Sequence, residues 1–308
     1  MAPLNQAIRV ERRVDSDCVY TGTVDEEWSV GVVPNGGYIL ALIIQACITH
    51  QSTTTLPSPL HVSAHYLQPT QPAPFEVHIR IIKPGRNFIN IHAELMQAGR
   101  TCVLTHLIFG NVPPRVGLGP LVPVNSGFAR PYPLSAFHPS SVNLPGGLTA
   151  LPPGYQFEDQ MHWAEDPAIR VLNHTPHANG GFARWGAWIE LTDKDTVITT
   201  ASLALIADTT LSMGFLYPTH VTGAVEGDTW LPTLTLSIEY KAPIPASGRY
   251  SKRTVGVYVR SGYLSEPQGR HNTIVEIWTA PADIGDGGEV RKGWADEQVC
   301  LAVATQMG

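Results

Sequence analysis

Two stretches of this chain are apolar on every side of any helix they would form. Gly36 to Thr49 (GGYILALIIQACIT) carries no charge, and Val197 to Leu216 (VITTASLALIADTTLSMGFL) carries one, Asp208. Such segments predict helices buried all round rather than amphipathic helices lying on a surface. Neither fits a membrane span: the first is too short, and the second is interrupted by Thr, Ser and the acid. Pro34-Asn35-Gly36-Gly37 stands just ahead of the first and predicts a turn that feeds directly into a helix N-terminus.

Each helix is followed by the same pattern. LHVSAHYLQP (Leu60 to Pro69) and LTLSIEYKAP (Leu234 to Pro243) coincide at four positions with one constant spacing: Leu60 with Leu234, Ser63 with Ser237, Tyr66 with Tyr240 and Pro69 with Pro243. Upstream, ALII (Ala41 to Ile44) matches ALIA (Ala204 to Ala207), and a longer connection around Tyr217 to Trp230 absorbs the difference in spacing. Downstream, each half holds an alternating strand pair, FEVHIRIIKPGRNFINIHAEL (Phe75 to Leu95, turning at Lys83-Pro84-Gly85-Arg86) and RTVGVYVRSGYLSEPQGRHNTIVEIW (Arg253 to Trp278). Each half closes on a short apolar strand, CVLTHLIFG ending at Gly110 and CLAVATQMG ending at Gly308. This is an internal duplication of a helix followed by antiparallel strands. An antiparallel sheet wrapped around one buried helix predicts an α+β chain of two hot-dog units, a double hot-dog. The expected units are residues 1–111 and 157–308, joined by a Pro-rich extended linker over 112–156.

Composition narrows the partners. The 308 residues are 43% hydrophobic and only 15% charged, with 28 Gly and 26 Pro, which suits a buried core of strands and turns. Lys and Arg total 20 against 26 Asp and Glu, for a formal charge of −6, so a nucleic-acid partner is not expected. The four cysteines, Cys18, Cys47, Cys102 and Cys300, lie far apart without a CxxC pair and are expected as reduced thiols. The N-terminus, MAPLNQAIRVERRVD, lacks the apolar stretch of a signal peptide, which makes a cytoplasmic location the expectation. Asn173-His174-Thr175 is a formal glycosylation sequon with no secretory context.

With these motifs in order, the sequence resembles acyl-CoA thioesterase II and its double hot-dog relatives. PNGGYILAL is similar to that family's helix start, and HVSAHYLQP followed by KPGRNFINIHAEL to its paired strands. In the second half ALIADTTL resembles the helix that presents a catalytic Asp, PTLTLSIEYKAP the strand that carries a catalytic Thr, and LAVATQMG the last strand with a catalytic Gln. The resemblance covers most of residues 25 to 110 and 157 to 308, and implies Asp208, Thr233 and Gln306 as the catalytic set, with neighbouring Thr235 as the alternative threonine. Aligning the two halves sets Gln45 opposite Asp208, Pro59 opposite Thr233 and Ile108 opposite Gln306, so the polar set is complete in the second copy only.

Those groups suit hydrolysis of a thioester. Its leaving thiolate is stable enough, with thiol pKa values of about 8.5, to depart without a strong general acid. Asp208, the only charge in a buried helix, would have its pKa raised by desolvation and would take a proton from water. Thr233 and Gln306 would position that water. Backbone N–H groups of Gly36 and Gly37 at a helix start would stabilise the oxyanion. A polyanionic CoA needs a basic patch, for which Arg249, Lys252 and Arg253 in SGRYSKR are the candidates, with Lys83 and Arg86 in the first half. No cofactor or metal is expected: G-x-S-x-G, Walker A and dinucleotide motifs are absent, and the pairs His61/His65 and His174/His177 lack a third ligand. The resemblance implies an acyl-CoA or related thioester as the substrate and makes a homo-oligomer plausible by analogy. Two rivals stay open. One is a dehydratase, isomerase or cyclase on the same scaffold, although the histidine nearest Asp208 in its own segment is His220; the other is a non-catalytic acyl-binding protein.

Overall fold

A computed structural model of the chain describes residues 2–111, 130–134, 138–142, 154–174, 182–211, 216, 232–246, 248–263 and 271–307. The first half runs α1 (Leu4–Ala7), β1 (Glu11–Arg12), β2 (Val19–Thr23), β3 (Ser29–Val30), β4 (Val33–Pro34), α2 (Gly36–Gln51), β5 (Ser58–Tyr66), β6 (Pro74–Lys83), β7 (Phe88–Gln97) and β8 (Arg100–Gly110). The second runs β9 (Met161–Glu165), α3 (Pro167–Val171), β10 (Ala183–Leu191), α4 (Ser202–Asp208), β11 (Thr235–Tyr240), β12 (Thr254–Tyr263), β13 (His271–Thr279) and β14 (Cys300–Met307).

Twelve strands form one sheet in the order β1-β2-β6-β7-β8-β5-β11-β14-β13-β12-β10-β9. Outward from the centre, β5-β8-β7-β6-β2-β1 on one side matches β11-β14-β13-β12-β10-β9 on the other. The duplication read from the sequence is therefore a pseudo-twofold of the fold, with its axis between β5 and β11. Ser63 and Ser237, equivalent in the repeat, are partners across that axis, the Ser237 hydroxyl donating to Ser63 Oγ at 3.2 Å. The sheet curls around α2 and α4, whose side chains join the inward rows of the strands in one core.

Strand register corrects one equivalence. Leu236 faces Gln306 on β14, whereas Val62, its counterpart, faces Leu107 on β8. The residue opposite Gln306 in the repeat is thus Leu107 rather than Ile108. Counting back from the terminal glycines misses it because those glycines are not equivalent: Ile108, level with His61, corresponds to Met307, level with Thr235.

The first buried helix forms as expected. Asn35 caps it, its side chain accepting the Tyr38 N–H at 3.0 Å, and every residue from Gly37 to Ile44 is buried. The second is shorter than its apolar run: α4 spans Ser202–Asp208. Thr199 and Ser202 exchange side-chain-to-backbone hydrogen bonds at 2.8 and 3.1 Å that mark its start, and Asp208-Thr209-Thr210, poor helix formers, mark its end. The connection 217–230 lies outside the described residues.

Parts of the expected linker are packed. Residues 112–129, 135–137 and 143–153 lie outside the described residues, but Leu134 and Val142 join Ile169, Trp188 and Tyr258 in a second cluster against the sheet. Tyr132 fits between Trp188, Trp278 and Trp294, at a place kept open by Gly256, where an added Cβ would meet the Tyr132 hydroxyl oxygen at 2.5 Å. These segments carry aromatic and aliphatic groups as well as proline, and burying them offsets the cost of ordering the chain. All four cysteines are free thiols, Cys47 and Cys102 being buried. No helix among the described residues is long and apolar enough to cross a membrane.

The two helices cross at Gly37. A Cβ there would lie 2.3 Å from the Ala204 carbonyl oxygen and 2.5 Å from Asp208 Cβ. Gly37→Ala is expected to destabilise the fold by about 1–3 kcal/mol despite alanine's better helix propensity, because backbone cannot yield as a side-chain tip can. A lowered denaturant midpoint with unchanged slope would show it; an unchanged midpoint would mean the helices separate freely.

Candidate active site

Three elements of the second half and one of the first meet at a single carboxylate. Asp208 ends α4 and is only 9% exposed. Its Oδ1 accepts the Thr233 hydroxyl at 3.0 Å and the Gln306 side-chain N–H at 2.5 Å. Gln306 also donates to Thr233 Oγ1 at 3.1 Å, closing a triangle of side chains from α4, the entry to β11 and β14. Oδ2 accepts the Gly37 backbone N–H at 2.7 Å, across the boundary between the two halves. The sequence reading therefore names a set that the fold brings into mutual contact.

Between the two threonines the geometry chooses Thr233. Thr235 opens β11 on the same outward row as Ser237, between His65 and Met307, away from the carboxylate. Thr233 is held in place because Leu234 N–H donates to the Met307 carbonyl and Leu234 O accepts the Tyr66 N–H, at 2.9 and 3.0 Å.

Burial pushes the Asp208 carboxyl above the ordinary aspartate value, while the hydrogen bonds from Gly37, Thr233 and Gln306 pull it back down. The desolvation effect is the larger. The result is a buried carboxylate held at the N-terminus of α2, where the helix dipole favours a negative charge.

The glycine pair acts differently from expectation. The Gly37 N–H is spent on Asp208 Oδ2, so it grips the base rather than an oxyanion. Gly36 remains as a first-turn donor without an intrahelical acceptor, and a Cβ there would lie 3.1 Å from Asp208 Oδ2 and 3.3 Å from Thr233 Oγ1. Glycine here lets the helix backbone border the site directly.

The basic cluster does not join the site. Arg253 is 15% exposed and pairs with Asp283 at 2.6 Å and Glu190 at 3.3 Å, with a further bond to the Leu191 carbonyl at 2.7 Å. A guanidinium so enclosed ties β10 to β12 and the segment after β13. Gln306 is level with Thr273 and Ser261, while Arg253 precedes the far end of β12. Roughly 26 Å of strand, at about 3.3 Å per residue, separates the two ends. Arg249 and Lys252 go with Arg253 to that far end. His61 and His65 lie on the outward rows of β5, and His177 lies outside the described residues.

Two tyrosines belong to the site without having been singled out for it. Tyr66 donates to the Gly36 carbonyl at 2.7 Å, fixing the first residue of α2, and burial together with the Asp208 charge pushes its phenol well up. Burial and the same charge also raise the Tyr155 phenol. The repeated Ser-x-x-Tyr spacing had marked Tyr66, but only as a sign of duplication. Tyr155 left no pattern in the sequence.

Residues 24–110 match the family described as the acyl-CoA thioesterase N-terminal domain. The match lies within the first half of the chain. The hot-dog fold extends over the whole chain. An acyl-CoA thioesterase II, TesB2, from Mycobacterium marinum superposes with a TM-score of 0.62 at 16% identity, covering 98% of this chain and 96% of the other. A conserved protein of unknown function with a hot dog fold from Alicyclobacillus acidocaldarius gives 0.68 at 17% identity, covering 99% and 96%. At such identities the likeness is one of fold. Uncharacterized proteins of Mycobacterium bovis and Mycobacterium tuberculosis share 28% identity over 251 residues, 77% of this chain and 82% of theirs.

The charge balance at Oδ1 is open to direct test. Thr233→Val keeps shape and removes one of the donors that lower the Asp208 pKa, so the carboxyl should titrate at higher pH in the variant. Carboxyl-detected NMR of the two proteins measures this. A downward or absent shift would mean that the threonine hydroxyl does not stabilise the carboxylate.

Proposed function

We propose that the protein hydrolyses acyl-CoA thioesters to a free acid and CoA, with Asp208, Thr233 and Gln306 activating and holding the attacking water. The observation that carries this reading is the convergence of two polar side chains and one backbone N–H, from three separate elements, on one buried carboxylate at a helix N-terminus.

Water hydrogen-bonded beside Oδ2 gives its proton to Asp208 as its oxygen attacks the thioester carbonyl carbon. Thr233 and Gln306 supply position more than charge, since both already bond to the base and to each other. The Gly36 N–H is the first-turn donor left for the developing oxyanion. Collapse of the tetrahedral species breaks the C–S bond, and the thiolate leaves with the proton held by Asp208 or taken from solvent. Because the base works as the carboxylate, activity should rise with pH through its titration. The raised pKa places that acid limb above the range of an ordinary aspartate.

Thiol release across a panel of short to long acyl-CoAs tests the reading. Asp208→Asn is expected to lose at least about 100-fold in kcat. Thr233→Val and Gln306→Ala should each lose about tenfold, the worth of one positioning hydrogen bond. Absence of turnover on every chain length by the folded native protein would overturn the substrate assignment and favour another reaction on this scaffold.

A further inference from the structure

Two short hydrogen bonds meet on one peptide group at the start of α2. The Tyr66 hydroxyl donates to the Gly36 carbonyl at 2.7 Å, and the Gly37 N–H donates to Asp208 Oδ2 at 2.7 Å. That carbonyl and that N–H are the two ends of a single planar unit, so phenol, peptide and carboxylate form a line of donors pointing one way. In such a chain each bond polarises the next and strengthens it by about 10–30%. A peptide whose oxygen is drawn on by a phenol presents a more positive N–H, and that N–H stabilises the charged form of Asp208.

This peptide also needs an anchor. Gly36 and Gly37 are consecutive glycines in a first helical turn, where N–H groups have no intrahelical acceptor and glycine has the widest backbone freedom. No side chain fits at Gly37, against the Ala204 carbonyl and Asp208 Cβ, so the orientation must be set from outside. Tyr66 is well placed to set it. It is the last residue of β5, level with Val103 on β8, and its own N–H donates to the carbonyl of Leu234, next to Thr233, at 3.0 Å. One residue thus stands behind two of the three donors that reach Asp208, with its backbone beside Thr233 and its hydroxyl behind Gly37.

The repeat supplies an internal control. Tyr240 is the counterpart of Tyr66, and the match of ALII with ALIA sets Thr199 opposite Gly36. There the Thr199 carbonyl accepts the Ser202 hydroxyl at 2.9 Å, and the buried Tyr240 hydroxyl has no hydrogen-bond partner among the described residues. Both copies keep the tyrosine, but the bond from phenol to helix carbonyl exists only at the crossing that holds the acid.

We propose that Tyr66 is a positioning residue for the base, its hydroxyl fixing and polarising, through the Gly36–Gly37 peptide, the N–H that grips Asp208. That Asp208 is the base rests on the proposed function. Tyr66 carries no proton itself: burial and the Asp208 charge push its phenol well up, so it stays a neutral donor wherever the carboxyl titrates. Burial and the bonds from Gly37, Thr233 and Gln306 act on Asp208, and no charged side chain of the described residues stands among them. The titratable groups that feel its charge are Tyr66 on β5 and Tyr155 ahead of β9, both phenols shifted away from the carboxyl range. A change of donor at Tyr66 is therefore read in the Asp208 titration alone.

Carboxyl-detected NMR follows that titration without substrate, so the result does not depend on turnover. Tyr66→Phe keeps the ring and removes the donor. Its Asp208 carboxyl should titrate about 0.2–0.6 unit higher, a smaller rise than in Thr233→Val, which removes a direct donor. 3-Fluorotyrosine at position 66, a more acidic phenol and a stronger donor, should move the titration lower. Tyr240→Phe, the same deletion in the other copy, should leave it in place. The acid limb of kcat/KM for thiol release should move in the same directions. An unmoved titration in both Tyr66 variants, or an equal shift in Tyr240→Phe, overturns the proposal and leaves the proposed function standing wherever the native protein releases thiol. Should Tyr66→Phe not fold, the direction of the shift in the fluorinated protein decides. Opposite shifts in the two Tyr66 variants of a protein that releases thiol from no acyl-CoA confirm the relay and overturn the proposed function.

Discussion

The bond from the Gly37 N–H to the Asp208 carboxylate is the constraint on which the rest of the molecule depends. It joins the N-terminus of one buried helix to the C-terminus of the other, and it exists only because Gly37 lets two backbones approach to a distance that any side chain would block. Burying a carboxylate costs several kcal/mol. Three donors offset that cost, each a hydrogen bond to a charged group worth about 1.5–3 kcal/mol. Each donor comes from a different part of the chain, so the charge holds α2, the entry to β11 and the last strand in register with one another. The carboxylate proposed as the base is in this way also a structural fastener.

The same constraint explains why a duplicated chain is functionally lopsided. A pseudo-twofold gives two helix crossings, one on each side of the Ser63–Ser237 contact at the centre of the sheet. Two unpaired carboxylates near the centre of one core would double the desolvation cost. Only one crossing carries the acid, while the other has Gln45 and Thr200 and is closed by Pro59. Freed of charge, the second crossing can be lined by prolines and Ile48. The short edge strands β1 and β9 end the sheet at its two rims, which limits the unpaired backbone offered to other chains.

Much of this was legible in the sequence because it follows from periodicity. An uncharged run of helix length must be buried, and an alternating run around Lys83-Pro84-Gly85-Arg86 must be a hairpin; both appear where expected. Asp208 was legible as the one charge in an apolar segment. What escaped depended on register and on partners distant in sequence. The counterpart of Gln306 slipped by one residue because the two closing glycines are not equivalent in strand register. Arg253 looked like free surface charge because nothing local reveals Glu190 and Asp283 folding against it. Gly37 looked like an oxyanion donor because a helix start offers its N–H groups to any anion, and composition cannot say that the anion is a protein side chain. The length of α4 was overestimated because hydrophobicity sets how deeply a segment is buried but does not say where its helix stops.

The remaining question is why a base buried this deeply should stay usable near neutral pH. Desolvation alone would push its pKa up until the group became a neutral acid, as lone carboxyls in apolar sites do. Gly37, Thr233 and Gln306 oppose that shift by donating to the charged form, so the position of the titration is set by a difference between two large effects. Removing any one donor should move it upward, and only a partner that displaced a donor in favour of an acceptor would move it further. In the proposed reaction, excluding bulk water as substrate binds would strengthen the desolvation that already raises the basicity of Asp208. A thioester, the proposed substrate, would need nothing stronger, because its leaving group departs as a thiolate. On the proposed mechanism a single aspartate, tuned by three hydrogen bonds and by the dryness of its surroundings, is sufficient machinery for that bond, which accounts for a polar set complete in one copy of the duplicated unit only.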